Sequence, residues 1–141
     1  MKRSLLFAAL MLGLPLQVLA ARQESCPKIE QIQHRGGVYT TVDQHWLGIS
    51  QSGSSAVIGF TEATFYPDGA KNLRGRLNSC SYQLDGGQML DMRYKRDASS
   101  DVIVNIRDNG QWSRQEGPFG IVYHLCKGPD PSVCAFSESQ S

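Results

Sequence analysis

Four cysteines constrain what this 141-residue chain can fold into more than any other feature. They are Cys26, Cys80, Cys126 and Cys134, with no C-x-x-C among them and no pair at zinc-site spacing. A thioredoxin-like redox centre and a structural zinc site therefore both lack their motif. What the cysteines do depends on the compartment, and the N-terminal stretch "MKRSLLFAALMLGLPLQVLA" speaks to that. Lys2 and Arg3 make a positive start, Leu5 to Leu16 is apolar except for glycine and proline, and the stretch closes on the small residue Ala20. This is the pattern of a secretory signal peptide, with cleavage expected after Ala20. As a membrane anchor the run is too short, and Pro15 interrupts it. A lipid-anchored protein would carry a cysteine directly after the cleavage site, whereas "ARQES" precedes Cys26. The expected product is one exported domain, residues 21–141, periplasmic or secreted, with no stable membrane anchor.

An even number of cysteines in an oxidising compartment reads as two disulfides. Three connectivities are possible; the preferred one is Cys26–Cys80 with Cys126–Cys134. The second bridge closes the short loop "CKGPDPSVC", whose glycine and two prolines suit a rigid excursion. The first ties the mature N-terminus to the middle of the chain. Loss of Lys2 and Arg3 with the signal reduces the 14 basic residues to 12 against 13 acidic ones, a net charge of −1. Arg74, Arg76, Arg93, Lys95 and Arg96 are interleaved with Asp85, Asp91 and Asp97. Nucleic acid is not the expected partner, because phosphate binding needs clustered positive charge.

Short β-branched and aromatic runs separated by turn residues predict an all-β, mainly antiparallel domain, with six to eight short strands in a small sandwich or barrel. Strands are expected over 28–33, 36–42, 45–50, 56–66, 101–106 and 119–125, the last leading to a frayed "SESQS" tail. "HRGG" (34–37) and "PDG" (67–69) mark turns, and "QSGSS" (51–55) a loop. Asn109-Gly110 is the preferred dipeptide for a tight hairpin. The stretch 58–66 also fits a short helix, which would make the fold α+β; its threonines favour a strand. As a strand it puts Ile58, Phe60 and Tyr66 on one face and Val57, Ala63 and Phe65 on the other. A further hairpin follows from alternation. Cys80, Tyr82 and Leu84 share a face, as do Leu90, Met92 and Tyr94. Uniting these as one buried face pairs Leu84 with Leu90, Tyr82 with Met92 and Cys80 with Tyr94. It demands an odd loop, three or five residues, with a glycine in the left-handed region. Asp91, Arg93 and Lys95 then face water.

No catalytic constellation stands out. "SQSGSS" (50–55) is not a nucleophile elbow, and His45 with Asp43, together with His124, is the raw material for a serine hydrolase. Glu62 and Asp68 could form a carboxylate pair, although a turn role for Asp68 is simpler. His124 and Cys126 share one strand face, the one close His–Cys pair in the chain. No metal, cofactor or catalytic residue is expected. The candidate binding residues are Trp46, Trp112 and Arg107. Leu47 and Ile49 beside Trp46 favour the core, whereas Gln111, Ser113 and Arg114 around Trp112 predict exposure. Across a two-residue Asn109-Gly110 turn Trp112 would face Arg107, allowing a cation–π contact. Exposed aromatics on polar hairpins mark surfaces that bind protein or glycan.

The order W-x-G (46–48), F-x-x-A (60–63) and G-x-L-x-x-C-x-Y (75–82), followed by an alternating strand, resembles a family of small secreted bacterial proteins catalogued as a domain of unknown function. The likeness covers residues 26–94 and implies an exported, cysteine-bridged, single-domain protein; it brings no catalytic residues with it. The chain is also similar in broad plan to periplasmic lysozyme inhibitors, which are small, exported, disulfide-bearing β-barrels, although "SQSGSS" matches their serine-bearing loop in composition alone. The expected function is that of an exported, non-catalytic binding or accessory protein of the bacterial cell envelope or exterior, with a protein or glycan of the envelope as partner. One alternative is an inhibitor or immunity-type protein that blocks an envelope-targeting enzyme such as a lysozyme; an exposed loop inserting into its target would favour it. The other is a small secreted hydrolase, for which a cleft joining histidine, carboxylate and serine would speak.

Overall fold

Alternation over 80–94 builds the hairpin at the centre of the molecule. The computed structural model describes Gly13 and residues 23–51, 53, 55–95 and 102–139. The expected signal segment apart from Gly13, Ser52 and Ser54 of the serine loop, Asp101 of the expected 101–106 strand and the last two residues of the tail lie outside the described residues. Cys80 opposes Met92 and Tyr82 opposes Leu90, and Leu84 N–H donates to Gln88 O at 2.8 Å. The loop is Asp85-Gly86-Gly87, the shorter of the two allowed lengths, so each partner lies two residues from the expected one. A slip of two preserves the faces. Cys80, Tyr82, Leu84, Leu90, Met92 and Tyr94 are all buried, while Asp91 and Arg93 face solvent. Gly86 (φ 103°) and Gly87 (φ 92°) occupy conformations that side chains disfavour. Lys95, expected in water with them, instead turns back to pair with Glu138.

Eleven strands are present among the described residues: β1 Gln23–Ser25, β2 Ile32–Arg35, β3 Val38–Thr41, β4 Trp46–Ile49, β5 Val57–Pro67, β6 Arg74–Leu84, β7 Met89–Tyr94, β8 Val104–Ile106, β9 Trp112–Glu116, β10 Val122–Lys127 and β11 Ala135–Glu138. All pairings are antiparallel. The fold is all-β, one sheet curled into a half-barrel. β6 is its branch point. One edge pairs with β5; the other is divided between β7 and β8. Beyond β7 the sheet continues through β4, β3 and β2, beyond β8 through β11 and β1, and beyond β5 through β10 and β9. At the fork, Gly75 is required by space: a Cβ there would lie 2.1 Å from Tyr66 O.

Several elements depart from the sequence expectation for identifiable reasons. Residues 29–31 form a 3-10 turn, and the strand expected over 28–33 begins at Ile32. The stretch 57–67 is a strand, but its register shifts near Val57–Gly59 and Phe60–Glu62. Such bulges invert the alternation, so Phe60 packs edge-on against Tyr82 at 5.3 Å with the core, leaving Ile58 and Tyr66 exposed. Asn109-Gly110 joins no hairpin. β8 pairs with β11 and β6, and β9 pairs with β10. A type I′ turn needs positive φ at both central residues; only Gly110 has it (φ 81°). The strand expected at 119–125 spans 122–127 and is not the last. β11 follows, taking Ser137 and Glu138 out of the expected tail: Ser137 lies between β1 and β8, and Glu138 pairs with β8.

Both bridges are Cys26–Cys80 and Cys126–Cys134, and all four cysteines are fully buried. The first fastens the segment after β1 to the central strand, where Tyr82 Oη also donates to Pro27 O. The second joins β10 to the segment before β11. Within its loop Asp130 accepts from Ser132 N–H at 3.0 Å and Ser132 Oγ at 2.7 Å, which holds its carboxyl below the usual range. Such bridges belong to an oxidising compartment.

Candidate functional site

Three segments far apart in sequence enclose a recess of about 420 Å³. The first is the turn after β5. Asn72 N–H donates to Gly69 O at 2.9 Å, and Arg74 holds Asp68 at 2.5 Å, so residues 70–73 form a fixed lip. Ile106 N–H donates to Leu73 O at 2.8 Å, fastening the lip to the end of β8. The second wall is Ile106, Arg107 and Asp108. The third is the β9–β10 ribbon, where Trp112 pairs with Cys126 and Arg114 with His124. Strand alternation therefore puts Trp112, Arg114 and His124 on one face.

Trp112 is the floor. It is 6% exposed, contrary to the expectation of a surface tryptophan. Its Nε1 donates to Ala135 O on β11 at 3.0 Å, and its ring meets Phe65 at 6.3 Å. The polar neighbours that suggested exposure point outward or line the recess; a strand turns one face in whatever its average polarity. Arg107 does not stand opposite Trp112 across a turn, because no β8–β9 hairpin exists. The two meet instead as walls of one recess. Trp46, the third candidate, is 2% exposed and lies elsewhere, packed against Tyr94 at 5.1 Å and Phe136 at 6.0 Å.

The lining mixes exposed charged residues with buried apolar ones. Lys71, Arg107, Arg114 and one carboxylate, Asp108, are exposed, whereas Ile106 and Trp112 are buried. Arg114 also pairs with Glu116 at 2.8 Å. His124 is 6% exposed and packs against Phe65 at 5.8 Å. Burial first, then the Arg114 guanidinium, hold its imidazole below the ordinary range, while Asp108 pulls the other way. Lys71, Arg114 and His124 were not legible as one site, because no sequence spacing links positions 71, 107, 114 and 124.

The other chemical candidates are occupied locally. Cys126 is bonded to Cys134, which removes it as a metal ligand beside His124. Glu62 lies 3.9 Å from Lys127 and Asp68 is held by Arg74, so these carboxylates do not form a pair. Asp43 accepts from Thr41 Oγ1 at 2.6 Å and His45 N–H at 3.0 Å, as an aspartate that shapes a turn does, and its carboxylate also lies 3.4 Å from His45 Nδ1, so this candidate pair is brought together. His45 precedes β4, whose neighbours are β3 and β7, whereas His124 lies on β10 between β5 and β9; the fold does not bring the two histidines to one cleft.

A second feature sits at the tip of the β9–β10 ribbon. Gly117 N–H donates to Ile121 O at 2.7 Å, closing a loop that holds Phe119 fully exposed, with φ 61° and ψ 24°. Ile121 beside it is 53% exposed. A non-glycine residue in this region is uncommon and strained. The flanking Gly-Pro and Gly are turn signals that the apolar run 119–125 concealed.

Fold and recess together define a disulfide-stapled, all-β half-barrel with a hollow the size of a small-ligand site. The chain belongs to the family described as "Protein of unknown function (DUF3757)", which matches residues 21–137. That match extends past the 26–94 stretch carrying the resemblance and takes in β8 to β11. No curated protein and no solved structure matches the chain.

Proposed function

We propose that this is an exported, non-catalytic binding or accessory protein of the bacterial cell envelope or exterior, and that the Trp112 recess is where it binds. The observation that carries this reading is the recess itself. Its lip, wall and floor are each fixed by backbone or side-chain hydrogen bonds, and its volume falls within the roughly 300–1,000 Å³ typical of small-molecule sites. Buried disulfides and an N-terminal stretch with signal-peptide character support export, as does a family match beginning at residue 21, just after the expected cleavage point. The test is capture from envelope extract by the purified, oxidised protein. Capture that survives Phe119→Ser and is lost in the double variant Lys71→Glu/Arg107→Glu is expected. Equal capture by that double variant would remove the recess from the function.

A specific observation favours a second reading, an inhibitor or immunity-type protein acting on an envelope-targeting enzyme such as a lysozyme. Phe119, exposed on a rigid ribbon tip, is suited to enter an apolar slot of a partner protein. Under this reading Phe119→Ser abolishes inhibition of the target enzyme and the recess variant does not.

A further inference from the structure

We propose that the recess is an oxyanion site: it takes the carboxylate or phosphate of a small molecule, or of the end group of a larger one, that carries a compact apolar body. This rests on the reading of the recess as the binding site and assigns its ligand class. Four observations converge. Arg74, beside the lip, is paired with Asp68 and Arg114, on the lining itself, with Glu116. Lys71 and Arg107 have no ion-pair partner among the described residues, yet both border the same hollow. Concave, poorly polarisable walls focus the field of such charges. The expected exported domain carries a net charge of −1, so a lining with three cations, two of them without an ion-pair partner among the described residues, against one carboxylate is a local concentration.

The second observation is donor geometry by type. Two guanidinium groups and an ammonium supply forked and single N–H donors suited to carboxylate or phosphate oxygens. Third, the buried part of the lining includes the apolar Ile106 and Trp112 beside His124, so a bare inorganic anion would leave that apolar surface unused. Fourth, scale excludes a polyanion. Three cations in one hollow cannot track the repeating phosphates of a nucleic acid, which need an extended row of contacts.

The test is a chemical-shift titration of the isotope-labelled, oxidised chain with benzoate, phenyl phosphate, benzyl alcohol and inorganic phosphate, each up to tens of millimolar. Benzoate or phenyl phosphate is expected to shift the amides of residues 70–73, 106–108 and 112–114 saturably, about tenfold more tightly than benzyl alcohol. Which of the two wins distinguishes a carboxylate from a phosphate source. Binding is expected to weaken with added salt and to weaken about tenfold in Lys71→Ala/Arg107→Ala. Both positions are on the surface, so that variant should melt like the parent. Benzyl alcohol binding there as tightly as benzoate would overturn the anion assignment while leaving the recess as a binding site. Inorganic phosphate matching phenyl phosphate would overturn the apolar body. No saturable shift at the recess from any probe would overturn both the ligand class and the reading beneath it.

Discussion

At the scale of single residues, Trp112 shows how far composition can mislead. Surrounded by polar residues it reads as exposed, but its neighbours in space are Phe65, Ala135 and the bridged Cys126. Trp112→Ala should therefore cost about 3–5 kcal/mol in denaturant unfolding, as removal of a core tryptophan does; an unchanged midpoint would put the ring at the surface. Phe119 is the opposite case, an aromatic in a left-handed conformation with nothing packed on it. Phe119→Gly should cost nothing and should stabilise by up to about 1 kcal/mol, because glycine is unstrained there. His124 links the recess to pH. Its imidazole is held below its ordinary value by burial and by Arg114 across the strand pair, opposed by Asp108, with Lys71 also on the lining and uncharged Phe65 behind it. The unfolded chain thus takes up this proton at higher pH than the folded chain does. Stability is unaffected by the group well above pH 6.5, falls as pH drops from there to the folded-state value, and levels off below it. Thermal melts of wild type and His124→Gln should diverge on acidification, the variant losing less.

At the scale of elements, the legible parts are those where side-chain alternation and pairing agree. The 80–94 hairpin could be read face by face, including its odd loop, because six apolar residues fix which side is buried. The choice between three and five loop residues was not legible, since either preserves those faces. β9 and β11 were missed for a different reason. "WSRQE" and "AFSE" show little alternation, and what holds them is backbone pairing, β9 to β10 and β11 to both β1 and β8. The bulges of β5 were likewise invisible, because nothing in "VIGFTEATFYP" announces where its alternation inverts. The branch at β6 rests on Gly75. With a Cβ facing Tyr66 O at 2.1 Å, Gly75→Val should cost more than about 3 kcal/mol or prevent accumulation of the exported protein. A variant that folds and melts normally would contradict the branched topology.

At the scale of the molecule, one bridge fastens the segment after β1 to the central β6 and the other joins β10 to the segment before β11. The pairing was legible because one short loop and one long one were the natural division of four cysteines. In the loop-entropy view, removing Cys26–Cys80 should cost about 4 kcal/mol and removing Cys126–Cys134 about 2.5 kcal/mol, for sequence separations of 54 and 8. Denaturant unfolding of the two double-serine variants should rank in that order. The recess was not legible, since topology alone gathers its walls from three distant segments. Whether it is where the protein binds is most directly measured by titrating the isotope-labelled, oxidised chain with the small-molecule and glycan fraction of envelope extract. Amide shifts confined to residues 70–73, 106–108, 112–114 and 124 are the expected result. Shifts centred on 117–121, with the recess unmoved, would contradict it.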